Sequence, residues 1–264
     1  ENFNNILSKE DTSTMLQYRQ VNLMKNIADL ALVTGAARRL GREIAVGLAQ
    51  NGYDIGLHFN SSKKEAEETA QEIEKTGRNV ILFQADLQIP QQIQAMFQQV
   101  EESGRILKVL INSASIMPRQ LVGEMTVDVW DEVMNTNLRA PMLCCQSAAR
   151  FMHEDSVIIN ITDSGAGKAW VNYGAYTISK AGLEVLTKVC AKAFAPKIRV
   201  NAVAPGLILP SSSTSSEDWD KLVQRVPAKR AGSVSDVVDT ILFLIRNGYV
   251  TGETISVDGG YKLI

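Results

Sequence analysis

From Ala28 onward, short apolar runs alternate with longer stretches in which apolar residues return every three or four positions. The runs 30–34, 54–59, 80–84, 109–112, 157–162, 198–203 and 254–257 are short and rich in β-branched residues, so they are predicted as strands. The spacing between them predicts helices over about 39–50, 63–75, 90–102 and 127–152, and one that carries Tyr176 and ends near Ala193. Apolar strands alternating with amphipathic helices predict an α/β fold, a Rossmann-type doubly wound parallel sheet of about seven strands with helices on both faces. Ligands of such a sheet bind beyond the C-terminal strand ends. Two segments break the rhythm. Residues 1–26 are polar and aperiodic and are read as a flexible N-terminal extension, leaving a single domain over 27–264. Residues 207–228 hold Pro210, five serines and an isolated helical piece around Trp219, the composition of a lid over a ligand.

A chain of 264 residues with 45% hydrophobic content supports one large α/β core. Its net charge of −2 supplies no basic patch, so nucleic acid and anionic membrane are not expected partners. No apolar run reaches about 18 residues, so no membrane span is expected. Cys144, Cys145 and Cys190 sit inside apolar helical patterns without framework or metal-ligand spacing. They read as core filler of a cytoplasmic protein without disulfides or a metal site.

The chemistry concentrates at Tyr176-Thr177-Ile178-Ser179-Lys180, which follows the fifth predicted strand, with Asp163 between them. Residues four apart share a helix face, so phenol and ammonium project together. A free phenol near pKa ~10 is a poor acid-base at neutral pH, and a neighbouring cation is expected to lower that value. Such a pair suits proton transfer to a substrate that accepts hydride.

The first strand runs into Thr34-Gly35-Ala36-Ala37-Arg38-Arg39-Leu40-Gly41. Gly35 permits a tight turn, Gly41 lets the helix pack near the strand, and the helix N-terminus offers N–H groups to a pyrophosphate. An acidic residue after the second strand would select NAD. This chain has Phe59-Asn60-Ser61-Ser62-Lys63-Lys64 there, with Arg38 and Arg39 in the first turn. Hydroxyls and cations suit a 2′-phosphate, so NADPH is the expected cofactor. Lys63 and Lys64 read equally well as a solvated helix start.

Together these pieces resemble the short-chain dehydrogenase/reductase family over nearly everything from Ala28 onward. The resemblance rests on the Thr34-to-Gly41 turn, Ala85-Asp86-Leu87, Asn112-Ser113-Ala114-Ser115, Asn137, the Tyr176/Lys180 pair, Pro205-Gly206-Leu207 and Val257-Asp258-Gly259-Gly260. It implies that Asp86 and Leu87 lie near adenine, Asn112, Ser113 and Ala114 near its ribose, and Pro205, Gly206 and Leu207 along the cofactor. Lys180 would bind the nicotinamide ribose, and Asn137 would hold a water that relays protons to solvent. It also implies a homotetramer.

Two departures resemble a subgroup, the pteridine reductases and related bacterial dihydromonapterin/dihydrofolate reductases. Arg39 stands where most of the family has a second glycine, and Asp163 where most have a catalytic serine. The resemblance implies reduction of a pterin or dihydrofolate C=N bond, with Tyr176 and Asp163 supplying the proton and Arg39, Ser115 and Met117 facing the substrate. A carboxyl suits this chemistry because the pterin edge presents N–H groups. The match is incomplete: relatives often carry an aromatic ring where this chain has Ile116-Met117. Two alternatives stay open, a carbonyl or 3-oxoacyl reductase that uses Ser164 for the missing hydroxyl, and a non-catalytic NADPH-binding sensor.

Overall fold

The computed structural model describes residues 28–211 and 214–264. The expected extension over 1–26 lies outside the described residues. Seven strands form one sheet: β1 (Leu30–Val33), β2 (Asp54–Phe59), β3 (Val80–Gln84), β4 (Leu107–Asn112), β5 (Ser156–Ile161), β6 (Ile198–Pro205) and β7 (Thr254–Val257). Their order is β3-β2-β1-β4-β5-β6-β7, and every neighbouring pair is parallel. The order reverses between β1 and β4, which opens a crevice beyond the strand ends there.

Alternate side chains of each strand serve opposite layers. On one face Ala31 and Val33 pack with Ile44 and Leu48 of α1 (Arg39–Gln50), Ile73 of α2 (Lys63–Glu74) and Val237 and Ile241 of α8 (Val234–Arg246). On the other, Leu30 and Leu32 pack with Ile93 and Phe97 of α3 (Pro90–Glu102) and with buried cysteines. The helix α8 was not among the predicted elements. Its apolar face is closed at the N-terminus by a capping box between Ser233 and Asp236.

The predicted continuous helix over 127–152 is corrected. It divides into α4 (Val127–Met134), a π-turn (Asn135–Arg139) and α5 (Ala140–Ala148). Pro141 has no N–H to give the Asn137 carbonyl, so the regular ladder fails there. The Asn137 side chain exploits the break: Oδ1 accepts from the Ile116 N–H at 2.9 Å and Nδ2 donates to the Ile116 carbonyl at 2.8 Å. Behind it runs α6 (Gly174–Phe194), which carries Tyr176 and Lys180. Within the segment expected to be a lid, α7 (Ser216–Arg225) starts at a Ser215 cap.

Cys144, Cys145 and Cys190 are free and buried, as filler for the second layer. No helix among the described residues is long and apolar enough to cross a membrane. No group of three metal-ligating side chains occurs among those residues.

Candidate active site

A cavity of about 610 Å³ lies beyond the C-terminal strand ends at the crevice, within the usual range for small-molecule sites. One end is built by β5 and α6. Tyr176 and Lys180 are both buried on the same face of α6. Tyr176 Oη donates to Asp163 Oδ2 at 2.6 Å, and the Gly165 N–H donates to Asp163 Oδ1 at 2.6 Å. Lys180 Nζ donates to the Ile161 carbonyl at 2.8 Å and stands 5.7 Å from the Tyr176 ring centre. The carboxyl, phenol and ammonium therefore converge on one cavity wall.

The electrostatics correct one expectation. Tyr176 is held well above the ordinary phenol value, by burial and by the adjacent Asp163, instead of being lowered by Lys180. Ionising the phenol would set two anions side by side in a poorly solvated wall. Burial also raises Asp163, against hydrogen bonds from Tyr176 and Gly165 and the charges of Lys180 and Lys168. Burial lowers Lys180 to about 8 although Asp163 favours its charge. Tyr176 is thus arranged as a proton donor beside a carboxyl acceptor.

Asn137 is brought near this group but not onto the cavity wall. Its amide also donates to Ser179 Oγ at 3.1 Å, and Ser179 Oγ donates to the Tyr176 carbonyl. The side chain therefore fixes α6 against the Ile116 segment, where a water-holding group was expected. Ser164, the residue of the alternative reductase, turns away: its hydroxyl is buried without a hydrogen-bond partner among the described residues, and it does not line the cavity.

The other end is the turn after β1. Gly35 has φ +67°, and a Cβ there would fall 2.8 Å from Ala114 Cα. A Cβ on Gly41 would fall 2.3 Å from the Gly35 carbonyl oxygen. Thr34 Oγ1 accepts from the N–H groups of Ser113 and Ala114 at 3.0 and 3.1 Å, tying this turn to the end of β4. Gly35, Arg38, Arg39, Leu40 and Gly41 all line the cavity, as do Phe59, Asn60, Ser61 and Ser62 after β2. Asp86 and Leu87 after β3, Ser113, Ala114, Ser115 and Met117 after β4, and Pro205 and Gly206 after β6 complete the expected lining.

Three further placements differ from expectation. Asn112 points into the core, where its amide donates to Asn160 Oδ1 at 2.8 Å. Leu207 is not on the wall: its carbonyl accepts from the Gly232 N–H, and Ile208 and Leu209 line the cavity in its place. Arg39, at φ +54°, has the left-handed backbone that ordinarily favours glycine. Its guanidinium donates to the Pro210 and Leu209 carbonyls at 3.0 and 3.4 Å, so it reaches the segment after β6 instead of the cavity centre. Of the two readings left open for Lys63 and Lys64 the structure has the solvated helix start: they pair with Glu67 and Glu68 on the exposed face of α2 and do not line the site.

Sequence reasoning missed His58, which also lines the cavity. Its Nδ1 accepts from the Gly35 N–H at 3.0 Å and its Nε2 donates to the Ala85 carbonyl at 3.0 Å. Burial lowers it to about 4. A histidine near the end of a strand with buried neighbours was the available signal. Glu132 of α4 and Thr136 of the π-turn were also missed; both line the cavity.

A dinucleotide fits this cleft. Side chains are excluded where the β1–α1 turn would meet a pyrophosphate, two arginines flank that turn, and the end of β2 offers serines without a carboxylate. A family model described as enoyl-(acyl carrier protein) reductase matches residues 35–262. A 3-oxoacyl-[acyl-carrier-protein] reductase, FabG, of Staphylococcus epidermidis is 35% identical over 237 residues, covering 87% of this chain and 97% of that protein. Among solved structures, the FolM alternative dihydrofolate reductase 1 of Brucella canis, complexed with NADP, superposes with a TM-score of 0.85. It is 32% identical and covers 89% of this chain and 94% of its own. A blue fluorescent protein from a metagenomic library, in complex with NADPH, matches at 32% identity and a TM-score of 0.83, over 89% of this chain and 98% of that one. With the strand order, the glycine turn and the Tyr-Lys pair all in place, the chain belongs to the short-chain dehydrogenase/reductase family of oxidoreductases.

Proposed function

We propose that the protein is an NADPH-dependent reductase of pterin or dihydrofolate-type substrates. The observation that carries this reading is the Asp163 carboxyl, buried at the cavity wall and hydrogen bonded to the Tyr176 phenol at 2.6 Å. A ketone oxygen needs a neutral donor, and a carboxylate beside it is repulsive. A pterin edge presents N–H groups that a carboxylate accepts, and its ring nitrogen needs the proton that Tyr176 and Asp163 hold between them.

Bound NADPH would supply hydride to the carbon of the C=N bond. Arg38, Ser61 and Ser62, which line the cavity, would hold a 2′-phosphate, and Asp86 and Leu87 would flank adenine. Lys180, held by the Ile161 carbonyl, would bind the nicotinamide ribose. Ser115 and Met117 form the substrate side, with Met117 offering an adaptable apolar face in place of an aromatic ring. The likeness to the FolM reductase of Brucella canis supports the subgroup.

A second reading, 3-oxoacyl reduction, is favoured by the 35% identity to FabG. It lacks its hydroxyl, because Ser164 Oγ is buried away from the cavity. The protein is further proposed to assemble as a homotetramer, since Ile178, Val185 and Val189 leave an apolar stripe exposed on α6; light scattering at the column peak tests the mass. Oxidation of NADPH and of NADH with dihydrobiopterin, dihydrofolate and an acetoacetyl thioester tests the function. Turnover of the reduced-pterin substrates with NADPH is expected. Turnover of the thioester alone supports the second reading, and tight NADPH binding with no turnover supports a sensor.

A further inference from the structure

The Gly35 N–H belongs to the turn that faces the expected pyrophosphate, yet it is already taken by a side chain. It donates to His58 Nδ1 at 3.0 Å, while the neighbouring Ala36 N–H donates to the His58 backbone carbonyl at 2.9 Å. On the far side of the ring, Nε2 lies 3.0 Å from the Ala85 carbonyl. These partners determine the ring's state. A backbone N–H only donates and a carbonyl only accepts, so Nδ1 carries the lone pair and Nε2 carries the proton. The imidazole is 2% exposed, so water does not substitute for either bond.

The ring therefore spans two loops that no other side chain among the described residues joins by hydrogen bonds at both ends. One is the glycine turn after β1. The other is the end of β3, where Ala85 directly precedes Asp86 and Leu87 on the cavity wall. Gly35 cannot adjust on the opposite side, because its backbone already packs against Ala114.

We propose that His58 is a positioning residue for the cofactor: its neutral imidazole sets the distance between the phosphate turn and the adenine-side wall, so that both ends of one dinucleotide are gripped together. The inference rests on the dinucleotide site of the preceding reading. It assigns His58 no contact with the reacting atoms.

Three substitutions divide the role. His58→Asn keeps an acceptor near Nδ1 for Gly35 and loses the reach to Ala85. His58→Gln reaches the Nε2 position and loses the Gly35 acceptor. His58→Leu keeps neither. A buried N–H left without its acceptor costs enough to predict a loss of NADPH affinity of about 10- to 100-fold in His58→Leu. His58→Asn should recover to within about 5-fold of wild type and His58→Gln should fall between. KM for NADPH should follow the same order, with kcat at saturating NADPH unchanged within about 2-fold, since the wall carrying Asp163, Tyr176 and Lys180 is untouched. A purely structural histidine would lower the urea midpoint in all three without this ordered split.

Binding is read by NADPH fluorescence on protein shown folded by circular dichroism. Folded His58→Leu that binds NADPH as wild type does overturns the proposal. If His58→Leu does not fold, an Asn variant no better than the Gln variant overturns it. Wild-type protein that binds no NADPH removes the function proposed above, and amide exchange then decides for His58 separately. Loss of protection at 34–41 and 85–87 in the Gln and Leu variants supports the spacer role, and unchanged protection overturns it.

Discussion

Gly41→Ala is a one-methyl change on which two physical effects predict opposite signs. Gly41 lies in the first turn of α1, where alanine would ordinarily stabilise a helix by about 1 kcal/mol. Here the new Cβ would stand 2.3 Å from the Gly35 carbonyl oxygen and 3.0 Å from its carbonyl carbon. Ordinary van der Waals contact begins near 3.4 Å, so helix and turn must part by about 1 Å. Neither partner is a flexible side-chain end. Gly35 is held by His58 behind it and packs against Ala114, so relief has to come from displacing α1 from the phosphate turn. Overpacking of this kind costs about 1–3 kcal/mol, which exceeds the helix gain. A misplacement of about 1 Å in a binding element lowers kcat/KM on the order of 100-fold. Steady-state kinetics varied in NADPH, together with urea unfolding, measure both terms. Gly248→Ala is the control, since nothing lies within 4 Å of its added Cβ. If Gly41→Ala is more stable than wild type with KM for NADPH unchanged, the close approach of helix and turn does not shape the site.

Four other outcomes follow from the same geometry. Tyr176→Phe should abolish turnover while NADPH binding is retained, as fluorescence titration would show. Asp163→Ser should cost at least 10-fold in kcat/KM on a reduced-pterin substrate, and pterin activity indifferent to it removes the carboxyl from the chemistry. Turnover should decline above pH 8 as Lys180, lowered by burial to about 8, loses its charge; a profile flat to pH 10 contradicts a role for that ammonium. His58 predicts acid lability. Its folded value near 4 lies below the unfolded value near 6.5, so between those pH values the unfolded chain binds a proton that the folded chain refuses. Its contribution is intact above pH 6.5 and is lost toward pH 4, by about 3 kcal/mol, relative to His58→Asn in urea titrations. Parallel pH profiles for the two proteins would refute it.

The parts legible in the sequence were those set by periodicity and by backbone geometry. Apolar runs of strand length located all seven strands, and Gly35 and Gly41 marked a turn where a Cβ cannot fit. Asp163, Tyr176 and Lys180 were readable because helical spacing and a strand end bring them together regardless of surrounding detail. The errors fall where a side chain's direction depends on a neighbour remote in sequence. Asn112 ends β4 and Ser113 follows it, yet the first turns to Asn160 in the core and the second lines the cavity. The π-turn at Asn135–Arg139 followed from Pro141, which was visible, but its partner Ile116 was not.

Arg39 shows why the strained first turn and the Asp163 carboxyl have to be considered together. A non-glycine residue in the left-handed region carries a strain on the order of 1 kcal/mol, so a glycine there would be the more stable choice. The guanidinium offsets this by holding the Pro210 and Leu209 carbonyls, beside the cavity that also contains Asp163. The strained residue thus links the turn after β1 to the segment after β6, while the Asp163 carboxyl holds the Tyr176 phenol on the wall built by β5 and α6. Arg39→Gly should then leave the urea midpoint unchanged or higher and still raise KM for the substrate, because relief of strain and loss of that link act on different quantities. A variant that loses stability in proportion to activity would mean that Arg39 serves the fold alone.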